Sequence, residues 1–175
     1  MALIVENGTG LADAESYISV ADADAYHAKY GTTQTWTDAD TATREAALRH
    51  ATRAIDNKYR LRWKGLPTRT TPAPAQALAW PRYGADDANG LAIGSAALPQ
   101  VLIDATAVLA AKHVEGTDLV PDVKEPGAIK SKSVKLGSLA KTVEFAGSGS
   151  QEKSFTLVER LLRGLLEPGM RLYRV

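Results

Sequence analysis

The first apolar run of the chain, Leu3-Ile4-Val5, stops at Asn7-Gly8-Thr9-Gly10, a pattern that predicts a short strand or arm and then a turn. Ser19 stands where an N-cap belongs, with Asp22 and Asp24 in the first turns, where the helix dipole favours acids. That helix is predicted to run to Tyr30 and stop at Gly31, burying Ala23, Tyr26 and Tyr30. A longer helix is predicted from Thr37 or Asp38 to Tyr59. In it Leu48, Ala51, Ile55 and Tyr59 recur at spacings of three and four, while Arg44, Arg49, Arg53 and Lys58 line the polar face. Between residues 60 and 89, Pro67, Pro72, Pro74 and Pro81 forbid a long helix. Trp63, Trp80 and Tyr83 predict instead a loop ordered by aromatic anchors, with Trp80-Pro81-Arg82 as a structural element of it.

Pro99 opens a helix carrying Val101, Leu102, Ala105, Val108, Leu109 and Val114, with further apolar residues on its other faces. A helix apolar on nearly all sides belongs at the centre of a fold or between subunits. It is predicted to end at Gly116, before a linker with Pro121 and Pro126. From 129 to 145 the pattern changes to alternation: Val134 and Leu136 around Lys135, then Gly137-Ser138, then Thr142 to Phe145, a β-hairpin. After Gly147 to Gly149, apolar pairs spaced by four (Leu157, Val158, Leu161, Leu162, Leu165, Leu166) predict a last helix, with Glu159 and Arg163 paired opposite them. Such a helix must bury its leucines, either on another protein or back on its own bundle. The fold class expected is mainly α with a small β-hairpin (α+β). Residues 1–149 form its main domain, with the hairpin near 129–145, and residues 150–175 form a C-terminal helix and tail.

Composition narrows the function classes. With 175 residues, 45% apolar and 23% charged, the chain has the balance of a folded protein with one core. The absence of cysteine removes disulfides, thiol nucleophiles and cysteine-based zinc sites. No apolar run approaches the roughly 18–20 residues of a membrane span, and Met1 to Glu6 has no basic region of a secretory signal. A cytosolic chain, or part of a particle assembled there, is expected. The net charge of +1 argues against a uniformly basic surface, yet it hides blocks: −6 over residues 1–40, +7 over 41–84, −5 over 85–125 and +5 over 126–175. Alternating blocks suit copies meeting face to face, or neutralisation within one chain.

Motifs for chemistry are missing. Gly8-Thr9-Gly10 lacks the Lys-Ser/Thr of a phosphate loop, and His27, His50 and His113 each stand alone in a helical segment. Asp22 and Asp24, at i and i+2, point to different helix faces. No G-x-S-x-G elbow occurs. The expectation is therefore no catalytic residue, no metal site, no cofactor and no enzyme. One cluster, Tyr59-Arg60-Leu61-Arg62-Trp63-Lys64, interleaves aromatics and cations as single-strand binders do; Arg60, Arg62, Trp63, Lys64 and Arg69 are its candidate contacts. Alternatively, Tyr59 and Trp63 close the end of the long helix against the core while the cations face water.

Several pieces in order carry a resemblance: Leu3-Ile4-Val5-Glu6-Asn7-Gly8-Thr9-Gly10-Leu11, Ser16-Tyr17 before an Ala-Asp-Ala-Tyr helix, Ala77-Leu78-Ala79-Trp80-Pro81-Arg82, the Leu98-Pro99 helix start, and Ser133 to Phe145. Over roughly residues 1–145 the chain resembles the head-tail adaptor (connector) proteins of tailed bacteriophages, members of which are often labelled DnaT-like. The resemblance implies a helical-bundle adaptor fold and a structural virion protein of the neck, between capsid portal and tail, assembled in the host cytoplasm. Its partners would be the portal protein, other copies of itself in a ring of twelve, and a downstream tail or neck protein. Duplex DNA would pass through the lumen without sequence-specific binding, and no membrane is involved. By analogy, Leu157, Leu161, Leu165, Leu166, Met170, Leu172 and Tyr173 would dock to the portal. The DnaT-like label implies the alternative, a single-stranded-DNA-binding protein.

Overall fold

Capping residues set where the helices begin. The computed structural model describes residues 2–31, 33–69, 75–120 and 155–168, and, as backbone, 131–136 and 139–144. Ser19 caps α1 (Val20–Tyr30), its hydroxyl accepting from the Asp22 amide at 3.1 Å, and Gly31 ends the helix at φ +100°. Thr33 caps a short α2 (Gln34–Asp38), and the Asp40 carboxylate caps α3 (Thr41–Tyr59) by accepting from Thr43 N at 2.7 Å. The long helix predicted from Thr37 or Asp38 thus starts later, at Thr41, and a separate short α2 precedes it, because Ala39 is extended and Asp40 competes for the amides of a new first turn. The break lets Trp36 turn inward, where its ring packs on His27 at 4.9 Å and its Nε1 donates to Asp24 at 2.8 Å. His27, not Tyr30, is consequently buried beside Ala23 on α1, and Tyr30 is 62% exposed.

Pro99 precedes α4 (Gln100–Val114), whose Leu102, Ala105, Thr106, Ala107, Leu109, Ala110 and Ala111 are all buried. The all-round apolar pattern means what it predicted: α1, α2, α3 and the C-terminal α5 (Thr156–Leu162) pack against α4. Small alanines let α3 approach closely, and the only polar side chain fully buried on α4, Thr106, returns its hydroxyl to the Leu102 carbonyl at 2.9 Å. Two-residue strands β1 (Leu66–Pro67) and β2 (Arg82–Tyr83) pair antiparallel within the proline-rich segment. The predicted hairpin is present as β3 (Ser131–Leu136) and β4 (Leu139–Glu144), an antiparallel pair in which Ser131 faces Glu144 and Leu136 faces Leu139.

The chain divides into two compact units, Met1–Leu119 together with Phe155–Val175, and Val120–Ser154. This differs from the expected division at 149/150. The helix after that point is part of the main unit, because Val158 and Leu162 are buried against the face of α4 left open by α1 and α3. Lys58 of α3 reaches Glu159 of α5 at 3.2 Å. A 3₁₀ turn, Arg163–Leu165, follows α5, and its Gly164 lies so close to Ala88 that an added Cβ would fall 2.9 Å from the Ala88 amide nitrogen. The exit is sewn to the segment after α3: Lys64 N donates to Leu165 O at 3.0 Å and Glu167 N to Arg62 O at 2.7 Å.

Leu162→Ala should therefore destabilise the fold by about 2–5 kcal/mol in urea unfolding. Leu157→Ala, at a position 56% exposed, should change stability by no more than about 0.5 kcal/mol.

Candidate functional site

The cation-aromatic cluster predicted to contact nucleic acid is split by the structure. Tyr59 and Trp63 are buried, with ring centroids 5.7 Å apart, and Trp63 meets the fully buried Trp80 edge-on at 5.9 Å. Neither ring offers a face on which a base could stack. Lys64 pairs with Asp86, and the exposed Arg69 directs a guanidinium nitrogen to Gly10 O at 3.4 Å. Arg60 and Arg62 are exposed on the turn that ends α3 and make no ion pair among the described residues. Between them Leu61 is 95% exposed. The aromatic half of the cluster closes the core, and the surface keeps two arginines flanking one leucine.

The predicted portal contacts divide in the same way. Leu165 and Leu166 are buried in the chain's own core, Leu161 is half-buried, and Leu157 is exposed. Leu165 and Leu166 are therefore spent on intramolecular packing and are withdrawn from any docking surface. Met170, Leu172 and Tyr173 lie outside the described residues.

The Trp80-Pro81-Arg82 segment is an anchor, as its composition suggested. The Arg82 guanidinium donates to three carbonyls: Lys64 at 2.8 Å, Ala79 at 3.1 Å and Gly65 at 2.6 Å. The Trp80–Pro81 peptide is cis. Behind it, Asp56 of α3 accepts from Tyr17 Oη at 2.6 Å and from Ala79 N at 2.9 Å, while Trp80 N donates to Tyr17 Oη at 3.2 Å. Burial pushes the Asp56 carboxyl up to about 6, against the lowering effect of those hydrogen bonds and of Arg82. The same burial, with Asp56 beside it, holds the Tyr17 phenol well above its ordinary range.

The opening loop resolves in similar terms. Glu6 turns its carboxylate back into the Asn7–Leu11 loop, where Oε1 accepts from Asn7 N, Gly8 N and Gly10 N at 2.9–3.1 Å and Oε2 from Leu11 N at 2.8 Å. A ring of amides that could cradle an anion is thus filled by the chain's own acid. Gly8 sits at φ +94°, and a Cβ there would come within 2.1 Å of Ala96 O, so the loop is held against the segment before α4.

Two features escaped the sequence. His50 of α3 and His113 of α4 stack with centroids 4.6 Å apart, and burial, then His113, lower the His50 pKa. Sixty-odd residues separate them, and only the α3–α4 packing brings them together. No group of three metal-ligating side chains accompanies them among the described residues. The second feature is a cleft of about 570 Å³ between the N-terminal arm, α1 and the start of α4, lined by Val5, Ile18, Tyr26 and Ile103 and bearing Asp22 and Asp104. No helix among the described residues is long and apolar enough to cross a membrane.

Over residues 1–175 the chain matches the family described as "Putative DnaT-like ssDNA binding protein", and it belongs to that family. No curated protein and no solved structure matches it.

The Asp56 geometry has a pH consequence. The folded carboxyl binds its proton more tightly than the unfolded one, whose value is 3.8, so stability from this group falls as pH rises from about 4 to about 6 and is level above. Relative to Asp56→Asn, the wild type should gain on the order of 3 kcal/mol as pH falls across that window. Paired urea titrations of the two proteins read the difference, and a flat difference would show that Asp56 ionises as freely folded as unfolded.

Proposed function

We propose that this DnaT-like family member is a structural neck protein of a tailed bacteriophage, a head-tail adaptor that assembles with copies of itself into a ring under the portal and carries the next neck or tail component. The observation that carries this reading is the β3–β4 hairpin. It forms a two-stranded sheet in the second unit, and neither strand has a further ladder partner among the described residues. An isolated hairpin is marginal in water, and strands added from neighbouring copies complete such edges by main-chain hydrogen bonds. The order of opening loop, Trp-Pro-Arg anchor, central helix and hairpin supports the adaptor resemblance across the chain. In this reading the protein acts by assembly, without a chemical step. Its portal contact uses the exposed Leu157 and the Met170, Leu172 and Tyr173 of the tail, since Leu165 and Leu166 are spent internally.

A second reading, single-stranded-DNA binding, is favoured by the family's description and by the exposed Arg60 and Arg62. It has no accessible tryptophan or tyrosine in that cluster to stack on, which would leave phosphate contacts to supply the affinity.

Native mass spectrometry and negative-stain microscopy of the protein mixed with its portal distinguish the two. A ring on the portal is expected, together with loss of portal co-purification when residues 169–175 are deleted; a cut at Gly149 would remove core leucines and unfold the chain. Failure to associate with portal, combined with tight oligonucleotide binding that weakens steeply with salt and is lost in Arg60→Ala/Arg62→Ala, would replace the first reading by the second.

A further inference from the structure

Two surface features among the described residues are complementary. One is a knob: Arg60-Leu61-Arg62, a tight turn at the end of α3 closed by Arg62 N donating to Tyr59 O at 2.9 Å, with Leu61 95% exposed and an exposed arginine on either side. The turn is stiff. Tyr59 and Trp63 are buried immediately before and after it, and Glu167 N holds the Arg62 carbonyl. From Asn57 to Ala85 the chain contains no carboxylate, so the knob sits in a stretch of one sign.

The other feature is the cleft between the N-terminal arm, α1 and α4. Its apolar lining comes from Val5, Ile18, Tyr26 and Ile103, and its charges are Asp22 and Asp104 against Lys29, the Glu6 carboxylate being turned into its own loop. Lys29 lies over the ring of Tyr30, another residue of the lining, with its Nζ 5.1 Å from the ring centre. Among the described residues Asp22 accepts from the Ser19 hydroxyl and Asp104 from the Gln100 amide, both neutral groups. An apolar floor under an acidic rim is the counterpart of an apolar tip between two cations.

We propose that Leu61 of one copy seats in the α1–α4 cleft of the next, with Arg60 and Arg62 over Asp22 and Asp104. The contact deepens the ring reading above and rests on it. Knob and cleft are different surfaces of one compact unit, so the contact is heterologous: each copy offers a knob to one neighbour and a cleft to the other, the arrangement that closes into a ring when the rotation allows. It also gives the charge blocks a use, since the acidic block of residues 1–40 supplies Asp22 and the basic block of 41–84 supplies the knob. One leucine and two rim pairs make a weak joint alone, so isolated protein in dilute solution stays unassembled and proximity is the property to measure.

The chain has no cysteine, which makes disulfide trapping clean. Leu61→Cys on the knob and Ala25→Cys, an exposed position lining the cleft, are each checked for native circular dichroism, then mixed at sub-millimolar concentration and oxidised. The mixture should give a covalent dimer about ten-fold faster than either variant alone or than Leu61→Cys mixed with Thr35→Cys on α2. In that background Arg60→Glu/Arg62→Glu on the knob chain should abolish the enhancement, and Asp22→Arg/Asp104→Arg on the cleft chain should restore it. A mixture no faster than its controls overturns the proposal, as does self-linking of Leu61→Cys alone, or linking of Ala25→Cys to portal in preference to a second copy. A ring seen on portal without the Leu61–Ala25 link would sink this contact and leave the adaptor reading standing. The link without portal association would do the reverse.

Discussion

A helix that is apolar nearly all the way round has to be surrounded, and α4 imposes that requirement on the whole main unit. Three faces are taken by α1, α2 and α3, and the remaining one is taken by α5, which returns from beyond the hairpin to cover it. The distribution of leucines after residue 155 follows from this: Leu162 and Leu165 are buried because α4 offers them a surface, and Leu157 is exposed because it lies on the other side of its helix. The position of the chain exit is another consequence, since the turn after α5 is hydrogen-bonded to Lys64 and Arg62.

Much of this was legible in the chain itself. Ser19, Gly31, Pro99 and Gly116 bound α1 and α4 because local backbone chemistry decides helix ends, and alternation around Lys135 marks the hairpin. The division between α2 and α3 was hidden: Ala39 and Asp40 are compatible with a helix interior, and only inward packing of Trp36 makes the break worthwhile. The destination of the last helix was hidden too, since spacing by four shows that a face must be buried but not against what. Trp63 illustrates the same limit, as an aromatic between cations reads identically whether it stacks on a base or on Trp80.

The polar interior shows how a segment with little regular structure is held. Tyr17, Asp56 and Arg82 satisfy backbone groups of residues 64–65 and 79–80, a service that helices and sheets perform for themselves. Glu6 does the same for the first loop. In both places a charged side chain that would ordinarily signal chemistry is consumed in keeping the main chain satisfied. Among the described residues, uncommitted surface includes the end of α3 and the cleft between α1 and α4.

Six paired residues on each of β3 and β4 give the hairpin a length of about 20 Å. A strand added along either edge would be held through amides and carbonyls, which every residue except proline presents alike. A pairing of that kind would tolerate drift in the side chains. The tolerance would fail at one kind of change, a proline placed on a pairing edge, which would delete a donor that no side chain can replace.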